Sequence, residues 1–380
     1  VSALVLSFLL LPRGLEYGAA GATFGASFGA LMSLLVLLYI YFSRRKYFAR
    51  EMKIYRNGQE ATQAFSTILY RIFTLSLPIT FGSLAMPLMN LLDMSIVPAR
   101  LQQLGFSMER ATALYGQLTG FAGSIVHFPT VITVALAMSL VPAVSEAQAL
   151  KNPRLIRNRL NLAIRFALFL GIPAAGGLLV LAEPICFVLF ETPGAGYALA
   201  MLSPAVIFLA LYITSSGALQ GLGRTMIPVK NILMGAAVKL VLTWFLTASF
   251  LHVGGAALAT VSGFFLAAFL NLLQLSRVTS WRFQWVETAL KPLLATVLMS
   301  LGVSLIYRYS FYYGLQWWQL SERLVAAGAL VLAIFAGIIL FVVALFLSGA
   351  VHQEDLQHIP RIGPRVASWA ASYNFHKRKK

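Results

Sequence analysis

The sequence sets ionisable side chains inside apolar runs. Asp93 lies in a run bounded by Pro78 and Pro98, about 22 Å along a helix rising 1.5 Å per residue. His127 sits near the middle of a second run, Tyr115 to Glu146, and Lys239 lies in a third, which opens at Pro228. That places Lys239 about 15 Å into its helix. An ionisable group at membrane depth is costly, so it faces a bundle interior or a watery cavity and marks a transport path or a coupling site. Asp93, Lys239 and His127 therefore head the candidates. Arg100 and Glu146, near helix ends, join them, followed by Asn90, Gln117, Gln220 and Asn231. For the amides, and for Asn271, hydrogen bonding between helices is the commoner role. A path holding Asp, His, Lys and Arg suits a substrate with phosphate and sugar groups, and can couple to protons or to a cation.

Other chemistries find no residues. There is no hydrolase triad, no metal-ligand constellation and no Walker motif. The glycine turn Leu219-Gln-Gly-Leu-Gly-Arg224 lacks the Gly-Lys-Ser/Thr that a phosphate loop needs. The single cysteine, Cys186, excludes a disulfide framework. The expectation is a transporter, not an enzyme, with no cofactor and no metal.

The elements that must position these residues are membrane helices. The chain has 380 residues, 59% hydrophobic and 11% charged, and several apolar runs long enough to span a bilayer. The class is all-α, a polytopic transmembrane helical bundle. Nine complete spans are expected, over 18–42, 75–98, 115–147, 166–190, 196–220, 228–250, 254–275, 290–307 and 324–347, after a short fragment, Val1–Pro12. That fragment reads as the tail of a helix whose start is missing, so the sequence reads as N-terminally truncated. The net charge of +17 suggests nucleic acid until it is mapped. Lysine and arginine concentrate in alternate segments, 43–73, 148–165, 221–230, 276–291 and 349–380, while the intervening ones hold Arg13, Arg100, Arg110, Arg308 and Arg323. This is the positive-inside pattern. It puts the basic segments and the C-terminus in the cytoplasm of a bacterial plasma membrane, next to anionic lipid, and leaves no role for nucleic acid.

Several local readings follow. Gly21, Gly25 and Gly29 recur every four residues and leave a helix face bare for close approach. Glu60–Arg71 reads as an interfacial helix. Pro129 and Pro142 are expected kinks, and Pro173 with Gly176-Gly177 an irregularity. Gly255-Ala-Ala-Leu-Ala-Thr260 echoes Gly18-Ala-Ala-Gly-Ala-Thr23, as a duplicated bundle would. Tyr309, Tyr312, Tyr313, Trp317 and Trp318 form an interfacial aromatic belt.

Taken together, Ser76-Leu-Pro-Ile-Thr-Phe-Gly82, Asn90-Leu-Leu-Asp93, Leu114-Tyr-Gly116, Phe128-Pro129, Ser139-Leu-Val-Pro-Ala-Val-Ser-Glu146, Leu219–Arg224, Ile227-Pro-Val-Lys-Asn231, Gly235-Ala-Ala-Val-Lys239 and Asp355-Leu with Ile359-Pro360 resemble the MurJ/stage V sporulation protein B group. That group belongs to the multidrug/oligosaccharidyl-lipid/polysaccharide exporter superfamily. The resemblance implies a MATE-like two-lobed fold of fourteen helices around a central cavity, with most of the first lobe absent from this chain. On that template 1–42 ends the first lobe, 43–73 is a cytoplasmic basic linker, 74–277 is the second six-helix lobe, 278–348 is a C-terminal helix pair and 349–380 is a cytoplasmic basic tail.

The resemblance also implies a flippase moving lipid II, the undecaprenyl-linked peptidoglycan precursor, across the plasma membrane by alternating access. The expected partners are this lipid-linked glycan, membrane lipids and cell-wall synthesis proteins. In the Gram-negative flippases an arginine and an acidic residue precede the Phe-Pro step. Here the matching positions hold Ser124 and His127, and Lys239 is the candidate for the missing cation. The alternatives are an exporter of another polyprenyl-linked polysaccharide, a drug/cation antiporter with a narrow site rich in acid and aromatics, and a non-transporting scaffold. The scaffold would have a close-packed lobe with Asp93 and Lys239 paired to each other.

Overall fold

A computed structural model describes residues 2–55, 64–281, 283, 285–317 and 321–349. Every described element is a helix. The chain divides into two compact units, Val1–Arg71 and Ile72–Lys380.

In the first unit α1 (Ser2–Leu10) packs on α2 (Leu15–Tyr55). The bare glycine face does what its spacing implies: a Cβ on Gly21 would lie 2.6 Å from the Leu6 carbonyl oxygen, and one on Gly25 would strike the Ala3 backbone. Ser2 Oγ donates to the Gly25 carbonyl at 2.8 Å. The helix does not stop at Phe42. It runs through Arg44 and Arg45 to Tyr55, because 43–55 holds neither Gly nor Pro and consists largely of tolerant helix formers. Charge moves a helix out of lipid without ending it. Much of the expected Glu60–Arg71 helix lies outside the described residues, and from Phe65 the chain is already α3.

α3 (Phe65–Gln103) is one unbroken helix of 39 residues; its part from Ile72 onward belongs to the second unit and contains the expected span 75–98. Over its C-terminal half the buried residues are Met89, Asp93, Val97, Pro98 and Leu101, while Leu88, Leu91 and Met94 are exposed. That three-to-four spacing is one narrow contact stripe, and Asp93 sits in its middle. Beyond Gly105, whose φ is +94, Ser107 caps α4 (Met108–Gly116) by accepting from the Arg110 amide. This run thus starts two turns before Tyr115. A π-helical stretch, Gln117–Ala122, leads into α5 (Gly123–His127). The helix then breaks at Phe128-Pro129 before α6 (Thr130–Ala149), which accommodates Pro142 without a break.

The basic segment 148–165 is helical but for a turn over 150–152. Asn152 caps α7 (Pro153–Val180) by accepting from the Leu155 amide at 3.1 Å, with Pro153 opening the first turn, so Arg154, Arg157, Arg159 and Arg165 ride on α7. The expected irregularity at Pro173 and Gly176-Gly177 is absent. The helix continues to Val180, and a Cβ on Gly176 would collide with Thr296 of α13 (Lys291–Trp317). This glycine serves packing rather than bending. The chain breaks instead at Leu181, before α8 (Ala182–Phe190). The expected span 196–220 is a bent pair, α9 (Ala195–Leu202) and α10 (Ala205–Gly221), at 44°.

α11 (Met226–Thr247) and α12 (Val253–Thr279) cross at bare backbone. A Cβ on Gly235 would land on the Gly263 carbonyl, and one on Gly255 on the Leu246 carbonyl. The opening glycines of α2 and α12 each press on the helix before them, Gly18 on Leu11 and Gly255 on Leu246, which is how the sequence echo looks in space. α14 (Glu322–Leu347) pairs with α13, Gly302 against Leu340 and Gly337 against Val303. Tyr309, Tyr312 and Tyr313 are exposed on α13, whereas Trp318 of the expected belt and the basic tail from 350 lie outside the described residues. Among the described residues seven helices are long and apolar enough to cross a membrane, or eight counting the bent pair, so the protein is a multi-pass membrane protein.

A buried polar ladder ties α10, α11 and α12. Asn231 Nδ2 donates to Asn271 Oδ1 at 2.8 Å, and Asn271 Nδ2 donates to Ser215 Oγ and Ser216 Oγ at 3.2 and 3.0 Å. Asn271→Leu strands the Asn231 amide and takes one donor each from Ser215 and Ser216, of which Ser215 still bonds the Tyr212 carbonyl. It is expected to cost about 1–2 kcal/mol, with part recovered in Asn231→Leu/Asn271→Leu, measured by thermal unfolding in detergent.

Candidate functional site

Two of the three leading candidates meet. Lys239 Nζ lies 2.5 Å from Asp93 Oδ2, and both side chains are at least nine-tenths buried. α3 supplies the carboxylate from its contact stripe. α11 supplies the ammonium where its crossing with α12 is tightest: the Lys239 stem passes Gly263, whose added Cβ would stand 3.0 Å from Lys239 Cβ. Gly263 therefore leaves the space through which the lysine reaches Asp93. The other carboxylate oxygen, Asp93 Oδ1, is buried without a hydrogen-bond partner. Thr243 and Thr247 follow Lys239 at four-residue spacing, fully buried, with hydroxyls that likewise lack a partner. The pair is thus neutral as a whole, yet among the described residues no hydrogen-bond donor fills the remaining acceptor.

A second tie joins the same two helices. Arg100, seven residues beyond Asp93, donates Nε to the Trp244 carbonyl at 3.0 Å and lays its guanidinium 4.2 Å over the Trp244 ring. A bond to Gln103 fixes the fork further. Below Asp93, Tyr115 of α4 donates its hydroxyl to the Asn90 carbonyl at 3.0 Å.

The remaining candidates stand apart from the pair. His127 is exposed at the end of α5, beside the Pro129 break, its carbonyl accepting from Thr130. Ser124 is exposed and bonds back to Gly120. Gln117 opens the π-helical stretch, half-buried; such stretches often mark functional positions. Asn90, Glu146 and Gln220 are exposed, and among the described residues Glu146 forms no ion pair with Lys239. Asn231 is placed in the interhelical ladder rather than at a free surface.

The sequence reading missed Trp244 and Tyr115. For Trp244 the signal was faint, since only the fold brings it to Arg100, 144 residues away. Tyr115 offered one better signal, a phenol opening a polar-bearing apolar run.

Comparison with known proteins bears on the whole chain. Residues 2–319 match the model of the family described as Lipid II flippase MurJ. Stage V sporulation protein B of Bacillus subtilis is 30% identical over 94% of this chain and 66% of its own length. Lipid II flippase MurJ of the same organism is 25% identical over 80% of this chain and 57% of its own. The fold resembles the solved lipid II flippase MurJ in its inward closed conformation, with a TM-score of 0.60 and 16% identity, over 91% of this chain and 64% of that one. The chain therefore spans about two thirds or less of these relatives. With its MATE-like helical fold and near end-to-end match to the family model, this chain belongs to the MurJ lipid II flippase family.

Proposed function

We infer that the protein carrying this chain moves lipid II outward across the bacterial plasma membrane by alternating access, with Asp93 and Lys239 as its coupling pair. Residues 74–277 would form the second lobe, 278–348 the added helix pair, and the basic tail would lie in the cytoplasm. Cell-wall synthesis proteins are the natural partners. The observation that supports this best is the buried Asp93–Lys239 contact between α3 and α11. Pairing of these two residues is also the mark set for a scaffold. A scaffold, however, gains little from a buried ion pair, which leucines of similar volume would match or better in stability. A contact that can be broken and remade suits a helix that moves. A drug antiporter fits less well, since the buried acid here is already paired with a lysine.

Export of another polyprenyl-linked glycan is the second reading. The deciding experiment is depletion rescue: the complete gene is expected to restore growth and shape to a cell deprived of its lipid II flippase. Normal expression without rescue would discard lipid II as the substrate and leave the second reading.

A further inference from the structure

Four buried polar atoms that find no hydrogen-bond partner among the described residues fall in one file. Asp93 Oδ1 stands at its start. Thr243 Oγ1 and Thr247 Oγ1 follow on α11, and His252 Nδ1 stands in the turn that joins α11 to α12. Helix geometry sets the line. Lys239, Thr243 and Thr247 recur every four residues, so they share one side of α11. That side meets α3, because Lys239 reaches Asp93 there. The two helices run in the same direction: Asp93 meets Lys239, and further along both helices Arg100 meets Trp244. Val97 and Leu101 of α3, fully buried, are thus level with the two threonines.

Helices packed once and for all do not need such a row. A hydroxyl sealed from water without a partner is costly, and valine has the same shape without that cost. A single orphan calls for its own explanation. A file of them, leading from an ion pair to the end of a helix, has a common explanation if the file is wet in another conformation.

Two contacts close the far end. Arg100 donates Nε to the Trp244 carbonyl and covers the Trp244 ring. Phe106, in the turn after α3, meets the His252 ring edge to face at 5.2 Å. Both contacts join side chains at the edge of the lobe, none of them fully buried. They can part while the α11–α12 backbones stay pressed together at Gly235 and Gly255. The joints beside them suit a swing. His252 holds φ +48 and ψ −123, a strained conformation for a residue with a side chain, and Gly105, at φ +94, precedes Phe106.

We propose that Arg100–Trp244 and Phe106–His252 form a clasp whose release lets water run down the α3–α11 seam to the Asp93–Lys239 pair. In the structure the clasp is shut and water cannot reach these atoms. Released, it gives Thr247, Thr243 and Asp93 Oδ1 the partners they lack. That gain offsets the lost contacts and keeps the open state within reach. Water also weakens the attraction between the two charges, so the clasp governs when Asp93 and Lys239 can come apart. The opening belongs to the lobe itself and does not depend on the transport reading.

The test uses the complete protein in lipid nanodiscs. Thr243→Cys is the reporter and the native Cys186, on α8, is its control, since both positions are fully buried. A hydrophilic maleimide labels a buried thiol only during an opening, and mass spectrometry reads the two sites separately. Arg100→Gln and Phe106→Ala should each speed labelling at position 243 about tenfold or more and leave Cys186 unchanged. Thr247→Val, which removes one orphan hydroxyl and keeps the shape, should slow it about fivefold. No acceleration at 243 in either clasp variant would overturn the proposal. So would equal acceleration at 243 and 186, the mark of general loosening, or a Thr247→Val protein that labels as fast as its parent. None of these readings involves lipid II, so each leaves the transport reading standing, whereas failed depletion rescue by the complete gene counts against that reading alone.

Discussion

Lys239→Met is expected to abolish rescue of a flippase-depleted cell and to lower stability by about 3–5 kcal/mol, the cost of leaving one member of a buried ion pair unpaired. Asp93 and Lys239 are 7% and 4% exposed, so water cannot reach in to replace the lost ammonium. Asp93→Leu should be comparably harmful, because it strands the lysine. The double variant Asp93→Leu/Lys239→Met removes both charges at once and should recover most of the stability, as apolar replacements of buried pairs generally do. It should not recover rescue. That split between stability and activity is the useful readout, measured by thermal unfolding in detergent alongside depletion rescue. A double variant that restored growth would show the pair to be structural only, and would revive the scaffold reading of this contact.

Gly235→Leu is the second large effect. The α11–α12 crossing has no room for even a Cβ at this position, because it would land on the Gly263 carbonyl with the Ala267 methyl just beyond. A leucine must push the helices apart, at a cost of about 3 kcal/mol or more, at or above the top of the usual range for overpacked sites. The damage should spread in two directions. Asn231, four residues earlier on α11, would lose its 2.8 Å bond to Asn271. Lys239, four residues later, would be displaced from Asp93. Expression and monodispersity by fluorescence-detected size exclusion should both fall. Gly328→Ala is the control, since nothing lies within 4 Å of its added Cβ. It should be neutral or stabilising by up to about 1 kcal/mol, because alanine fixes a helix better than glycine. Equal loss in both variants would refute the close-crossing explanation.

Much of this protein was legible in one dimension. Hydropathy length and the alternation of basic segments decide the class, because a bilayer admits only helices or closed barrels and sorts charge by side. Glycines at four-residue spacing foretold the α1–α2 contact, since a helix face without Cβ atoms is useful only against a close neighbour. Asp93 and Lys239 stood out because charge in an apolar helix demands a reason. Helix ends were less legible. Charge at 43–55 and 154–165 lies outside the expected spans, yet the helices continue through it, with neither Gly nor Pro there to stop them.

What only the tertiary structure decided is partnership. Asp93 and Lys239 lie far apart in sequence, on α3 and α11, and no spacing rule joins them; the α11–α12 glycine crossing and the single contact stripe of α3 do. The same holds for Arg100 with Trp244, and for Asn231, which a linear reading sets among path residues and the fold sets among hydrogen bonds between helices. Periodicity tells which face of a helix is buried. Which residue waits on the facing helix depends on crossing points, and those depend on where backbones can touch.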